Sequence, residues 1–183
     1  MQVAVPEGAG RLIFTATPEE ETGGKDLARL VKALGKVDGA VIAEPTNLRP
    51  CTAEKALLRM DVEITGRGAH SSRPWQGENA IERAAEVIAA LKALDFGAPH
   101  PLLGGVTLTP TRIRGGDVTN RVPENCVISL DIRYPPGIER REIVEAVSRM
   151  VPGVARVVSD RIQPLETPEG SLLIRALKRG FGK

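Results

Sequence analysis

The stretch LLRMDVEIT, Leu57 to Thr65, decides how this chain folds. Leu58, Met60, Val62 and Ile64 alternate with Arg59, Asp61, Glu63 and Thr65. A repeat of two is the repeat of a β-strand with one buried and one wet face. The pattern returns in CVISLDIR, where Cys126, Ile128, Leu130 and Ile132 alternate with Val127, Ser129, Asp131 and Arg133. Between these two strands lies an amphipathic helix over Gly77 to Leu94, with its apolar stripe at Ile81, Ala84, Val87, Ile88 and Leu91. A further strand follows over Val106 to Ile113, then a turn at Gly115-Gly116-Asp117. After the second alternating strand come a helix from about Glu139 to Met150 and a Val-rich strand, Val154 to Val158. The order β-α-β-β-α-β predicts a split βαβ, or ferredoxin-like, sandwich with two helices on one face of an antiparallel sheet. The other face is polar by the same alternation and is expected to stay exposed.

Upstream the pattern differs. Arg11 to Thr17 (RLIFTAT) and Ala40 to Ala43 (AVIA) are short apolar runs, expected as strands buried on both faces. Leu27, Leu30, Val31 and Leu34 recur at helical spacing between them, with Gly35 as a stop. Two parallel strands joined by a helix make a right-handed unit. In such a unit Glu19, Glu20 and Glu21 fall beyond one strand end and Glu44 beyond the matching end of the other, the edge where open α/β sheets bind ligands. The expected class is therefore α/β plus α+β: a partial βαβ layer followed by a ferredoxin-like β-α-β-β-α-β segment. Boundaries are expected near Ala53 and Pro164, dividing the chain into 1–53, 54–164 and 165–183, the last opening another amphipathic helix in TPEGSLLIRALKRGFGK. An open α/β sheet usually has roughly four to six strands, so this layer is expected to be part of a larger protein.

The totals exclude several classes. A net charge of +2 in 183 residues, basic residues spread along the chain and 3% aromatics argue against nucleic acid and against a membrane surface. MQVAVPEGAG has no basic segment leading into an apolar one, and no apolar run could span a bilayer. Cys51 and Cys126 stand far apart without metal or redox spacing, which makes a reducing cytoplasm the default compartment.

The chemistry-bearing stretches each have a plain reading beside the functional one. PEEETGG, Pro18 to Gly24, sets three carboxylates in a row, which repel one another. An acidic helix start favoured by the helix dipole is the plain reading. In the functional one, one carboxylate binds a cation and its neighbour takes a proton from metal-bound water. His70 lies in GRGAHSSRPWQGENAI, a Gly- and Ser-rich loop entering a helix, a setting with exposure and reach. His100, in APHPLL, reads as an ordinary surface loop residue. Asn120 and Arg133, in GGDVTNRVPENC and DIRYPPG, are turn and surface residues on the plain reading. On the other, the Arg133 guanidinium grips a carboxylate in a bidentate fork.

In this order and spacing PEEETGG, AEPTN, GRGAHSSRPWQGENAI and GGDVTNRVPENCVISLDIRYPPG resemble the acetylornithine deacetylase and succinyl-diaminopimelate desuccinylase family. The resemblance covers nearly the whole chain. It implies a hydrolase of the amide bond of an N-acyl amino acid or small peptide, with two zinc ions per intact subunit and a lid that dimerises. It also implies roles. Glu20 matches the general base, Glu21 and Glu44 match metal ligands, and His70 matches the lid histidine that crosses the dimer to polarise the scissile carbonyl. Asn120 and Arg133 match lid residues that hold the substrate, Arg133 taking its α-carboxylate. Glu19 stands where the family usually has Asp. The family's N-terminal His-x-Asp segment, its bridging Asp and its C-terminal histidine ligand have no counterpart, so the chain is expected to be an incomplete, inactive portion. The alternatives are a non-catalytic dimerisation module and a small-molecule regulatory domain of the same topology.

Overall fold

Alternation that reads as a strand in the sequence is a strand in the computed structural model, which describes residues 10–18, 25–47 and 49–181. β1 (Ala53–Glu54) and β2 (Ala56–Thr65) precede α2 (Ala80–Lys92), β3 (Thr107–Gly115), β4 (Asn125–Tyr134), α3 (Arg140–Met150), β5 (Val154–Ile162), β6 (Leu165–Glu166) and α4 (Leu172–Phe181). α1 (Lys25–Leu34) stands upstream of all of these. The chain divides into two compact units, Met1–Glu44 and Pro45–Lys183.

In the second unit, β3, β4, β2 and β5 form one sheet in that order with every neighbouring pair antiparallel. That is the split βαβ arrangement the pattern predicts. β2 and β4 are central and run in unbroken register, with Leu58 opposite Ile132 and Arg59 opposite Asp131. Their apolar residues, Leu58, Met60, Val62, Ile64, Ile128, Leu130 and Ile132, are buried in one cluster with Ala84, Val87, Leu91, Ile143 and Val147 of the two helices. Deleting one of the larger side chains there costs about 2–5 kcal/mol. Cys126 and Tyr134 sit in the same cluster, and burial pushes both the thiol and the phenol above their ordinary pKa values. The opposite face is charged and paired: Arg156 with Glu63 at 3.0 Å, Arg59 with Asp131 at 3.6 Å. Pro110 lies on the edge strand β3, where a missing N–H is tolerated, and the register slips between Pro110 and Arg112.

β1 and β6 pair antiparallel, Ala53 with Glu166 and Glu54 with Leu165, and the Thr167 N–H donates to the Thr52 carbonyl at 2.7 Å. The two ends of the ferredoxin-like segment therefore meet. Sequence pattern could not foresee this, because two-residue pairings carry no periodicity.

One expectation is corrected. Residues 11–17 and 40–43 are described and neither forms a strand; among the described residues the first unit contributes α1 alone. Phe14 is 93% and Ile42 79% exposed. An apolar run becomes a strand only when neighbours satisfy its main-chain groups on both sides, and two strands with open edges are marginal at best.

Candidate functional site

β2 ends at Thr65, and the chain must reach the start of α2 at Ala80 across fourteen intervening residues by way of His70. Three main-chain attachments shape that path. The Gly66 N–H donates to the Glu124 carbonyl at 2.7 Å, Arg67 and Glu78 exchange bonds of 2.9 and 2.8 Å, and the Ala80 N–H donates to Pro123 O at 3.0 Å. Gly66 is obligatory at the crossing: a Cβ there would fall on the Glu78 carbonyl oxygen, with Ala80 N at 3.0 Å and Pro123 O at 3.1 Å. α2 then starts on Asn79, whose side chain accepts the Ile81 N–H at 2.9 Å.

The same attachments bring His70 to Asn120. The Ser71 N–H donates to the Asn120 carbonyl at 2.9 Å, and the Val122 N–H to the Ala69 carbonyl at 2.8 Å. Residues fifty positions apart thus line one open depression of about 480 Å3, with Arg121 and Glu124 on its wall. Arg121 pairs with Asp117, and both also border a neighbouring depression of about 310 Å3 that includes Arg114. The His70 ring is held by Ser72: its Nδ1 lies 2.8 Å from Ser72 Oγ and accepts the Ser72 N–H at 3.2 Å.

Arg133 is elsewhere. Asn120 leads into the Asn125 end of β4, whereas Arg133 lies eight positions further along that strand. At about 3.4 Å per residue this is roughly 27 Å. On the sheet's polar face its Nε donates to Asp131 Oδ1 at 2.8 Å, and Arg59 Nε approaches Asp131 Oδ2 at 3.6 Å. One carboxylate therefore sits between two guanidinium groups, and the cluster keeps a net charge of +1.

Glu19, Glu20 and Glu21 lie outside the described residues. Glu44 is exposed on an irregular segment, not at a strand end, because the run before it forms no strand. Among the described residues no three of His, Cys, Asp or Glu gather as a metal site. His100 also departs from its reading as an ordinary surface loop residue. Its side chain is 11% exposed, its Nδ1 accepts the Leu102 and Leu103 N–H groups at 3.2 and 3.3 Å, and its Nε2 lies 3.4 Å from Glu166.

Ser72, Arg121, Glu124 and Arg59 are site neighbours that pattern reading missed. Two carried a signal: Ser two residues after His can close a local turn, and Asp117–Arg121 has the spacing of an ion pair. The Arg59–Asp131 contact needed the β2–β4 register, which the sequence alone does not supply.

The chain is 31% identical to acetylornithine deacetylase of Edwardsiella ictaluri (strain 93-146), over 94% of its own length and 49% of that protein's. It is 34% identical to acetylornithine deacetylase of Yersinia pseudotuberculosis serotype O:1b, over 94% of its length and 48% of the relative's. The chain thus spans about half the length of the curated relatives it matches. Its fold resembles that of an M20 family metallo-carboxypeptidase from Sulfolobus solfataricus, with a TM-score of 0.53, 14% identity, and 72% of this chain and 44% of that one covered. Residues 52–156, which run from β1 through α3 to the start of β5 in the ferredoxin-like sandwich, match the peptidase dimerisation domain, and the chain belongs to the M20 dimerisation-domain family.

Proposed function

We propose that this chain is the lid-bearing portion of a metal-dependent enzyme that hydrolyses the amide bond of an N-acyl amino acid, in the manner of acetylornithine deacetylase, or of a small peptide. The observation that carries this reading is the meeting of His70 and Asn120 on one depression while Arg133 lies at the far end of β4. An N-acyl amino acid is about two residues long, ~7 Å of extended chain. It cannot touch both ends of one lid. Two copies of the lid in a symmetric dimer supply both to one site, His70 and Asn120 from one and Arg133 from the other. The antiparallel closure of β1 on β6 supports a 54–164 segment that emerges from the rest and returns to it.

In the reaction, His70 donates a hydrogen bond to the scissile carbonyl as negative charge grows on its oxygen. Asn120 orients the same group, and the Arg133 fork takes the substrate carboxylate. Glu20 is assigned the proton of the attacking water and its delivery to the leaving amine. Zinc is the metal proposed, with Glu21 and Glu44 among its ligands in the complete enzyme. The described residues form no metal site, so the steps given to this chain's residues involve none. With Glu21 and Glu44 the two family ligands matched in this chain, where a zinc site needs about three or four, this chain alone is proposed to be inactive. Cytoplasmic location belongs to this reading, given two cysteines with no disulfide or metal spacing.

The test is turnover of N-acetylornithine and succinyl-diaminopimelate by the complete enzyme, with and without Glu20→Ala and His70→Ala. Loss in both variants is expected. Unchanged turnover in either rejects its assignment. A non-catalytic dimerisation module is the second reading, favoured by the self-contained core of the sandwich. It predicts a dimeric mass for this chain and no hydrolysis by the complete protein.

A further inference from the structure

Two hydrogen bonds meet at one nitrogen of His70. The Ser72 main-chain N–H donates to Nδ1 at 3.2 Å, and Ser72 Oγ lies 2.8 Å from the same atom. A main-chain N–H can only donate, so Nδ1 must present its lone pair, and in neutral imidazole the proton then sits on Nε2. With Nδ1 an acceptor, the Ser72 hydroxyl is a second donor to it. Turning the ring over would set a C–H against both donors. The turn that delivers Ser72 is itself fixed on either side: Ser71 N–H donates to Asn120 O at 2.9 Å, and Arg73 N–H to His70 O at 2.8 Å.

We propose that Ser72 is the positioning residue of His70, holding it in the Nε2–H tautomer so that it meets a substrate oxygen as a hydrogen-bond donor and not as a base. The donor half rests on the amide-hydrolysis reading above; the tautomer half does not. No bond is made or broken in this role. The hydrogen bond has only to shorten as charge develops on the oxygen. His100 is an internal comparison, because its Nδ1 also accepts two main-chain N–H groups. Of the two histidines only His70 lines the depression.

Long-range proton–nitrogen correlation spectra of this chain, taken above the pH at which imidazoles titrate, read the tautomer directly. His70 is expected to show a pyrrole-type Nε2 and a pyridine-type Nδ1, as His100 does. Ser72→Ala removes one of the two donors and is expected to move the two His70 nitrogen shifts toward each other, with His100 unmoved. Ser72→Thr restores the hydroxyl and the shifts. A protonated Nδ1 in the unmutated chain, or Ser72→Ala shifts identical to it, overturns the tautomer half. In the complete enzyme Ser72→Ala is expected to lower kcat about tenfold at unchanged KM, less than the ~10²–10³ lost when an oxyanion donor is removed outright. A kcat that stays put although the tautomer has moved overturns the donor half and counts against His70 in catalysis.

Discussion

Gly66→Ala isolates the crossing on which the candidate site is built. The added methyl would lie on the Glu78 carbonyl oxygen and against Ala80 N and Pro123 O, all main-chain atoms that cannot swing aside. Moving the Glu78 peptide breaks both bonds it exchanges with Arg67, and moving the Ala80–Pro123 contact breaks a third. At about 1 kcal/mol net for each bond the loss is about 3 kcal/mol, at the upper end of the ~1–3 kcal/mol of ordinary overpacking. Urea unfolding of this chain measures it as a shift in midpoint at unchanged slope. Gly170→Ala is the control, since nothing lies within 4 Å of its added methyl, and it should change stability by less than about 0.5 kcal/mol. The amide resonances of Ala69 to Ser72 should move in Gly66→Ala, because the loop that carries His70 hangs from this crossing. A destabilisation under about 0.5 kcal/mol with those resonances unmoved would refute the reasoning.

Other outcomes follow from single contacts. Cys51 is exposed and Cys126 buried, so a thiol reagent should label one cysteine in the native chain and both in denaturant; rapid native labelling of both would contradict the core assignment. Burial raises the Cys126 pKa above its ordinary 9.0. The folded state therefore holds that proton more tightly than the unfolded state. Its contribution to stability is complete below pH 9 and declines as pH rises through the raised value, an alkaline loss that Cys126→Ala should shrink in a pH series of urea melts. Arg133→Lys keeps the charge and loses the planar fork, so kcat/KM of the complete enzyme should fall about tenfold or more, the ~1.5 kcal/mol of one charge-assisted hydrogen bond. An unchanged kcat/KM would remove Arg133 from substrate binding.

The sandwich was legible because its strands alternate. Leu58 to Ile64 and Cys126 to Ile132 announce both a strand and the face that is buried, and the observed β2 and β4 extend those readings by a residue or two. α2 was read too long, from Gly77 in place of Ala80, because its start is set by the Asn79 cap and not by its apolar stripe. The runs at 11–17 and 40–43 show the limit of the method. Continuous apolar sequence says that a segment wants neighbours, not that it has them. The site divides along the same line. His70 and Asn120 could be singled out by residue type and loop setting, but their meeting depends on main-chain bonds between Ala69, Ser71, Asn120 and Val122, which leave no trace in side-chain pattern. Arg133 could be placed on a strand face from alternation alone, yet its company with Asp131 and Arg59 required the register.

The division of labour between two copies is the claim everything else serves, and subunit complementation tests it most directly. His70→Ala and Arg133→Ala forms of the complete enzyme, each inactive alone, are mixed and allowed to exchange subunits. If His70 and Arg133 reach one site from different copies, each mixed dimer regains one intact site. The mixture then recovers about one quarter of unmutated activity, because about half the dimers are mixed and one of their two sites works. If one copy supplies both residues to its own site, every site in the mixture lacks one of them, and activity that stays at the level of the separate variants would contradict the account.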